Sequence, residues 1–336
     1  MKSPGRALVM LVFVAAAAGT LRAQDGFKLK SRVELISVTA TVSDESGRFV
    51  SGLKQGDFTI YEDNEKQEIS QFSAERVPVS LGILLDVSGS MTPEKMDAAR
   101  AAINRFTQEL LEPEDELFLM TFSTRPQLLQ DWTSDRRLIS RAMSRAEPNG
   151  GTAMYDAIAD AIPIAGSGRH EKKALLLISD GNDRNSTIGV TELRQAIRES
   201  EVIVYALGVE GSQRQLPQMS PPQYPPPIPL PFPIPGGGRR RFPQIFGGPY
   251  GNQGRDERVN ADALRRITDD TGGRTEIVHG FRDLDGATAR IADELSRQYY
   301  LGYSSTRPKD GRWHAIRVDV RDRKLTVRAR RGYVAS

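Results

Sequence analysis

The sequence predicts an α/β fold: a doubly wound, mostly parallel sheet joined to a β-sandwich-like domain built from the N- and C-terminal flanking strands. Three observations predict it. Leu81–Leu85 and Ala174–Ser179 are apolar throughout, as strands buried on both faces are. Between residues 78 and 297 such strands alternate with segments of helical periodicity. The stretches on either side, 27–77 and 298–336, alternate apolar and polar residues with the period of a strand.

Taken in order, Met1–Ala23 reads as a secretory signal peptide: Lys2 and Arg6 precede the apolar run Ala7–Ala18, and small residues lead to Ala23. The run is short for a membrane span, so the expected location is secreted or periplasmic. Cleavage would remove Lys2, Arg6 and Arg22 and take Lys+Arg from 46 to 43, equal to the 43 Asp+Glu. A formally neutral mature chain argues against nucleic acid as a partner. Cysteine is absent, so the fold relies on its core rather than on disulfides.

In the segment 27–77, Ile36, Val38, Ala40 and Val42 alternate with polar residues as one half-buried strand. Phe58–Tyr61 and Gln67–Phe72 suggest a hairpin around Glu62–Lys66. From residue 78 the pattern changes. Thr92-Pro93 opens a helix whose stripe is Ala99, Ala102, Ile103, Phe106 and Leu110. Leu117–Phe122 and Leu128–Trp132 follow as strands, and Ser134-Asp135 opens a helix to about Arg145. Then come a helix over Ala153–Ala165, the strand Ala174–Ser179, a helix over Glu192–Glu199 and the strand Val202–Val209. Asn260 caps a helix closed by Gly272-Gly273, Thr275–Val278 is a short strand, and Leu284–Ser296 is the last helix.

One segment interrupts this alternation. Twelve of the twenty prolines lie between Gly211 and Tyr250, and Arg239–Arg241 follow the densest run. Polyproline joins neither helix nor sheet, so 211–258 is expected as a Pro-rich insert on the surface, at most a docking strip for an aromatic groove. In 298–336, Tyr299–Tyr303, His314–Val320 and Lys324–Arg330 read as strands expected to pair with those of 27–77.

The chemistry concentrates at the ends of the two buried strands. In Leu81–Met91, Asp86, Ser88 and Ser90 fall on alternate residues, which point the same way in extended backbone. Asp180 ends the second strand. Between them Asn149-Gly150-Gly151-Thr152 presents a hydroxyl at a helix start. In open parallel sheets ligands gather at the carboxyl ends of strands where strand order reverses. Two carboxylates neutralise a dication, and hydroxyls extend its oxygen shell without adding charge.

Asp-x-Ser-x-Ser, then a Thr, then an Asp in this order closely resembles the metal-ion-dependent adhesion site of the von Willebrand factor type A (VWA) family. The resemblance implies a Rossmann-like doubly wound sheet, Mg²⁺ (or Mn²⁺ or Ca²⁺) and binding of a protein ligand. It implies metal contacts from Ser88 and Ser90 directly, from Thr152 directly or through water, and from Asp86 and Asp180 largely through water. The flanks GDFTIYEDNEKQEISQF, QYYLGYSSTRPKDGRWHAIRVDV and VRARRGY are similar to those of a bacterial VWFA-related group of Acidobacteria type.

Catalysis is not expected. His170, His279 and His314 stand singly, no nucleophile elbow or phosphate loop is present, and no general base accompanies the carboxylates. The expected function is a metal-dependent, adhesion-type module whose cation engages an acidic group of a protein partner. The alternative is a structural or assembly protein whose metal site locks its own domains.

Overall fold

The computed structural model describes residues 34–209, 259–280 and 283–335. The signal segment 1–23 and the Pro-rich insert 211–258 lie outside them. The first flank forms strands β1 (Glu34–Ser43), β2 (Phe58–Glu62), β3 (Glu65–Gln67) and β4 (Ile69–Ser73). The middle of the chain runs β5 (Val79–Asp86), α1 (Pro93–Arg105), β6 (Glu116–Phe122), β7 (Pro126–Thr133), α2 (Arg136–Met143) and α3 (Met154–Gly166). It continues through β8 (Lys172–Ser179), α4 (Val190–Glu199), β9 (Ile203–Val209), α5 (Ala261–Thr268), β10 (Thr275–Val278) and α6 (Leu284–Arg297). The last flank forms β11 (Tyr299–Ser305), β12 (Trp313–Val320), β13 (Thr326–Ala329) and β14 (Gly332–Val334).

Helices α1, α2 and α5 start where short polar side chains satisfy free backbone N–H groups. The Thr92 hydroxyl accepts from the Lys95 amide at 3.4 Å, Asp135 from that of Arg137 at 3.0 Å, and Asn260 from that of Ala263 at 3.1 Å. Thr92 is followed by Pro93, whose fixed φ suits the first helical position.

The central sheet has the order β10-β9-β8-β5-β6-β7, parallel except for the antiparallel edge strand β7. Every residue of β5, β6 and β9 is buried, which explains their unbroken apolar runs. On one face Leu81, Ile83 and Leu85 pack with Met96 and Ile103 of α1, Ile139 of α2, and Leu284 and Ile291 of α6. On the other, Leu84, Leu175 and Leu177 pack with Ile158 of α3, Leu193 of α4, and Leu264 and Ile267 of α5. The neighbouring strands β5 and β8 thus lead into helices on opposite faces, and their carboxyl ends form the switch point of the sheet.

Gly82 serves this second face. A Cβ there would stand 2.2 Å from Phe118 Cζ and 2.6 Å from a Leu175 methyl. Gly82→Ala is expected to lower stability by about 1–3 kcal/mol, the cost of an overpacked core. A urea midpoint equal to wild type would refute this.

The flanking strands form two four-stranded sheets, β13-β1-β11-β4 and β14-β12-β2-β3. Strands from both ends of the chain interleave: Val38 pairs with Leu301, Val42 with Val327, and Ile60 with Val318. Ile36, Val38, Ile60, Tyr299, Leu301, Tyr303 and Ile316 fill the space between the sheets. The hairpin differs from its expectation. Its turn tightens to Asp63-Asn64, both at positive φ (48° and 67°), as a two-residue hairpin requires. Of the two strands after the turn, β3 pairs with β2, whereas β4 crosses to pair with β11.

An arginine cluster joins the two parts at the start of the loop after α5. Asp270, 7% exposed, accepts from Arg194 at 2.8 Å and Arg198 at 2.9 Å, and its carbonyl accepts from the Arg331 amide. Burial by itself would raise the Asp270 carboxyl pKa; the hydrogen bonds from the two guanidinium groups outweigh burial and hold it below the usual 3.8. A carboxyl with a depressed folded pKa stabilises above its unfolded pKa and loses that contribution as pH falls through the folded value. Asp270→Asn is therefore expected to be less stable than wild type above pH 3.8, with the gap closing on acidification. Denaturation curves at pH 7 and pH 2.5 check this, and a gap that persists at the lower pH would contradict it.

Candidate metal centre at the switch point

Strand β5 delivers Asp86 to the carboxyl rim of the sheet, 1% exposed. The loop that follows is stitched to its neighbours by backbone bonds. The Val87 amide donates to the Phe122 carbonyl at 2.8 Å, the Asn149 amide to the Val87 carbonyl at 2.8 Å, and the Gly89 amide to the Gly150 carbonyl at 3.1 Å. Both Asp86 oxygens are engaged within the protein: Oδ1 accepts the Ser88 amide at 2.8 Å, and Oδ2 accepts the Ser179 hydroxyl at 2.7 Å. The Ser88 and Ser90 hydroxyl oxygens lie 2.9 Å apart, Ser88 buried and Ser90 exposed.

Thr152, 6% exposed, sits between Gly151 and the start of α3. Its amide donates to Asn185 Oδ1 at 2.9 Å, and its carbonyl accepts the amides of Arg184 and Asn185. A Cβ at Gly151 would stand 1.8 Å from that same Asn185 oxygen, which is why glycine precedes the threonine. Asp180 follows β8; its Oδ1 accepts the Asn182 amide at 3.0 Å, an Asx turn, and its carbonyl accepts the Asn260 amide.

The five residues anticipated from the sequence therefore stand on three loops that the backbone draws together. Ser88 and Ser90 touch directly, and the Ser88 amide bonds Asp86. The Thr152 loop is tied in through Gly150 and Gly89, and Asp180 through its neighbour Ser179. Burial raises the Asp86 pKa to about 6, and the nearby negative charge of Asp180 adds to the rise against the hydrogen bonds from Ser179 and Ser88. Two close carboxylates, one fully buried, with hydroxyls beside them, make a donor set that suits a hard dication. Among the described residues, no group of three or more His, Cys, Asp or Glu side chains is placed to hold a metal.

Several supporting residues were not anticipated. Ser179 reads as the end of an apolar strand, yet its hydroxyl orients Asp86 and also accepts the Gly181 amide. Asp183 accepts the Met154 and Tyr155 amides at 2.7 and 3.2 Å, and the Ser186 hydroxyl at 2.6 Å. It caps α3 from another loop, and Ala153 at the helix start offers no side-chain cap of its own. The segment from Asp183 to Ser186 thus positions Thr152 from the loop that carries Asp180. The one signal for this in the sequence is the density of Asn, Asp and Ser after Asp180, which does not say which amides they serve.

Residues 81–182 match the von Willebrand factor type A domain. The chain is 26% identical over 137 residues to an uncharacterized protein of Synechocystis; the match takes in 40% of this chain and 32% of that protein, about a third of its length. Among solved structures it is similar to BatB, a conserved hypothetical protein from Bacteroides thetaiotaomicron, at 22% identity and a TM-score of 0.45, covering 65% of this chain and 97% of that one. It is similar to a von Willebrand factor type A protein from Catenulispora acidiphila, at 13% identity and a TM-score of 0.47, covering 89% and 73%. A third is proximal thread matrix protein 1 from the mussel byssus with a zinc-occupied MIDAS motif, at 13% identity and a TM-score of 0.48, covering 70% and 50%. With the match spanning β5 to the loop after β8, and those strands forming the switch point of a doubly wound sheet, the chain carries a von Willebrand factor type A domain.

Proposed function

We propose that this protein is a metal-dependent protein-binding module of adhesion type. In this reading Asp86, Ser88, Ser90, Thr152 and Asp180 would hold a hard divalent cation, Mg²⁺ (or Mn²⁺ or Ca²⁺). The observation that carries it is that these residues stand on three mutually bonded loops at the switch point, where Asp86 is held by Ser88 and Ser179 and the Ser88 and Ser90 hydroxyls touch. The bound cation would supply a Lewis-acidic position for a carboxylate of a protein partner. The chain's own residues do the rest: Ser179 and the Ser88 amide orient Asp86, and the Asp183–Ser186 segment holds Thr152.

The reading extends to location and boundaries. The first 23 residues are proposed as a secretory signal, placing the mature protein in a periplasm or outside the cell. Among the described residues, no helix is long and apolar enough to cross a membrane. Segments 27–77 and 298–336 are proposed as one β domain into which 78–297 is inserted, and the insert 211–258 as a docking strip.

The test is a pull-down from native envelope or medium with wild type, in Mg²⁺ and in EDTA. A partner retained in Mg²⁺, and released by EDTA or by excess acetate, is expected. Retention unchanged by EDTA would refute the reading. A strong Mg²⁺-dependent rise in Tm with no partner retained would instead favour a metal site that locks the protein's own domains.

A further inference from the structure

Asn149-Gly150, in the loop before Thr152, is the one Asn-Gly pair in the chain, and both residues are exposed. The loop is anchored on either side of the peptide group that joins them. The Asn149 amide donates to the Val87 carbonyl at 2.8 Å, and the Gly150 carbonyl accepts the Gly89 amide at 3.1 Å. The joining peptide group itself is unbound. Among the described residues, neither the Asn149 carbonyl nor the Gly150 amide has a hydrogen-bond partner.

The Asn149 side chain is loosely held. Its Oδ1 accepts the Ser123 hydroxyl at 3.4 Å and its Nδ2 donates to the Glu147 carbonyl at 3.5 Å, both longer than the usual range. Gly150 lies at φ 70°, and a Cβ there would stand 2.4 Å from Thr124 Oγ1, so the fold requires glycine at this position. The same missing side chain leaves the Gly150 nitrogen uncrowded. Comparable groups elsewhere are guarded. The amide after Asp180, that of Gly181, donates to the Ser179 hydroxyl at 3.1 Å, and the amide after Asp310, that of Gly311, donates to the Ala335 carbonyl at 2.8 Å. Asn185 and Asn260 each hold a backbone amide with Oδ1, at 2.9 and 3.1 Å.

We propose that Asn149-Gly150 is a site of self-modification, where the side-chain amide is lost as ammonia and the loop becomes aspartate and isoaspartate. The Gly150 nitrogen gives its proton to hydroxide and attacks Asn149 Cγ. The Cγ–Nδ2 bond breaks, ammonia leaves, and a five-membered imide closes. Nucleophile and carbonyl belong to one small ring, so no encounter has to be arranged. Water then opens the imide. Breaking the bond from the Gly150 nitrogen to Cγ leaves aspartate; breaking its bond to the main-chain carbonyl carbon leaves isoaspartate. In sum one water enters and one ammonia departs. Isoaspartate adds a methylene to the main chain between the two anchoring bonds, so the bonds to Val87 and Gly89 cannot both keep their geometry. The loop that carries Ser88 and Ser90 loses support on that side. The chemistry needs no cation, so it stands apart from the proposed metal site.

The test is incubation of the full protein in EDTA at pH 8.5, native and unfolded in guanidinium chloride, followed by peptide mass spectrometry and enzymatic methylation of isoaspartate. In the native protein Asn149 is expected to convert at least about tenfold faster than Asn185 or Asn260, and within about tenfold of its own rate in the unfolded chain. Conversion should slow at pH 7, because the attacking nitrogen must first lose its proton. Asn149→Gln, which would have to close a larger ring, should stay unmodified at this position. In converted wild type the Gly89 amide should exchange its hydrogen about tenfold faster than in Asn149→Gln treated alike, the mark of a lost bond. Missing either rate margin for Asn149 overturns the proposal. Equal Gly89 exchange in the two proteins overturns the loss of support in the loop.

Discussion

Asp86→Ala is expected to weaken Mg²⁺ or Mn²⁺ binding by about 100-fold in calorimetry, and Asp86→Asn by nearly as much. The first figure is the upper end of what removing a group that acts through other ligands costs. Asp86 contributes one of the two charges of the proposed set, and its oxygens are already held by Ser88 and Ser179. The asparagine variant separates charge from architecture. Its amide oxygen can still accept the Ser88 amide, so the loop should keep its shape while the charge is lost. Both variants are expected to fold, because a buried carboxylate beside a second one is costly in the absence of a cation. Affinity within threefold of wild type in Asp86→Asn would remove this residue from the proposed site.

The second large effect lies in the junction between the two parts. Glu294 of α6 is fully buried and accepts from Thr41 Oγ1 at 3.1 Å, from the Tyr205 hydroxyl at 3.0 Å and from Arg328, and pairs with Arg274 at 3.3 Å. Gln298 donates to Thr41 at 3.1 Å and to Tyr205 at 2.8 Å, closing the network. Burial holds the Tyr205 phenol well above its usual pKa, and the charge of Glu294 reinforces this, so the hydroxyl remains a donor. Glu294→Ala would leave Arg328 without its carboxylate, Arg274 with Glu276 alone, and a buried tyrosine hydroxyl without its acceptor. Breaking a buried pair on one side costs about 3–5 kcal/mol, which for a chain of this size is a fall in Tm of roughly 10 °C. Glu294→Gln, which keeps the shape and part of the hydrogen bonding, should fall between. A Glu294→Ala Tm within 2 °C of wild type would show that the network contributes little.

These two carboxylates differ in how they announce themselves in the sequence. Asp86 stands at the end of an apolar run, two residues from Ser88 and four from Ser90. Short-range geometry alone places those oxygens together, and strand ends in a parallel sheet share one rim. Glu294 sits in the last helix among Ala292, Asp293 and Leu295, where a glutamate most often faces solvent. Its burial follows from partners 253 and 34 residues away: Thr41 on β1 and Arg328 on β13 flank it together because β1 pairs with β13.

The same division runs through the whole chain. The sequence by itself determined the local events: the buried runs of β5 and β8, the caps at Thr92, Asp135 and Asn260, the alternation of β1 and β12, and the alternate spacing of Asp86, Ser88 and Ser90. Each depends on residues within a few positions of one another, where backbone period and side-chain chemistry suffice. Only the tertiary structure decided that β4 leaves the β2–β3 hairpin for the other sheet. It alone decided that Asp183 and Asn185 serve amides of the Thr152 loop and that Ser179 orients Asp86. Those are pairings of donors with acceptors distant in the chain, and composition does not specify which of many compatible partners the packing brings within 3 Å.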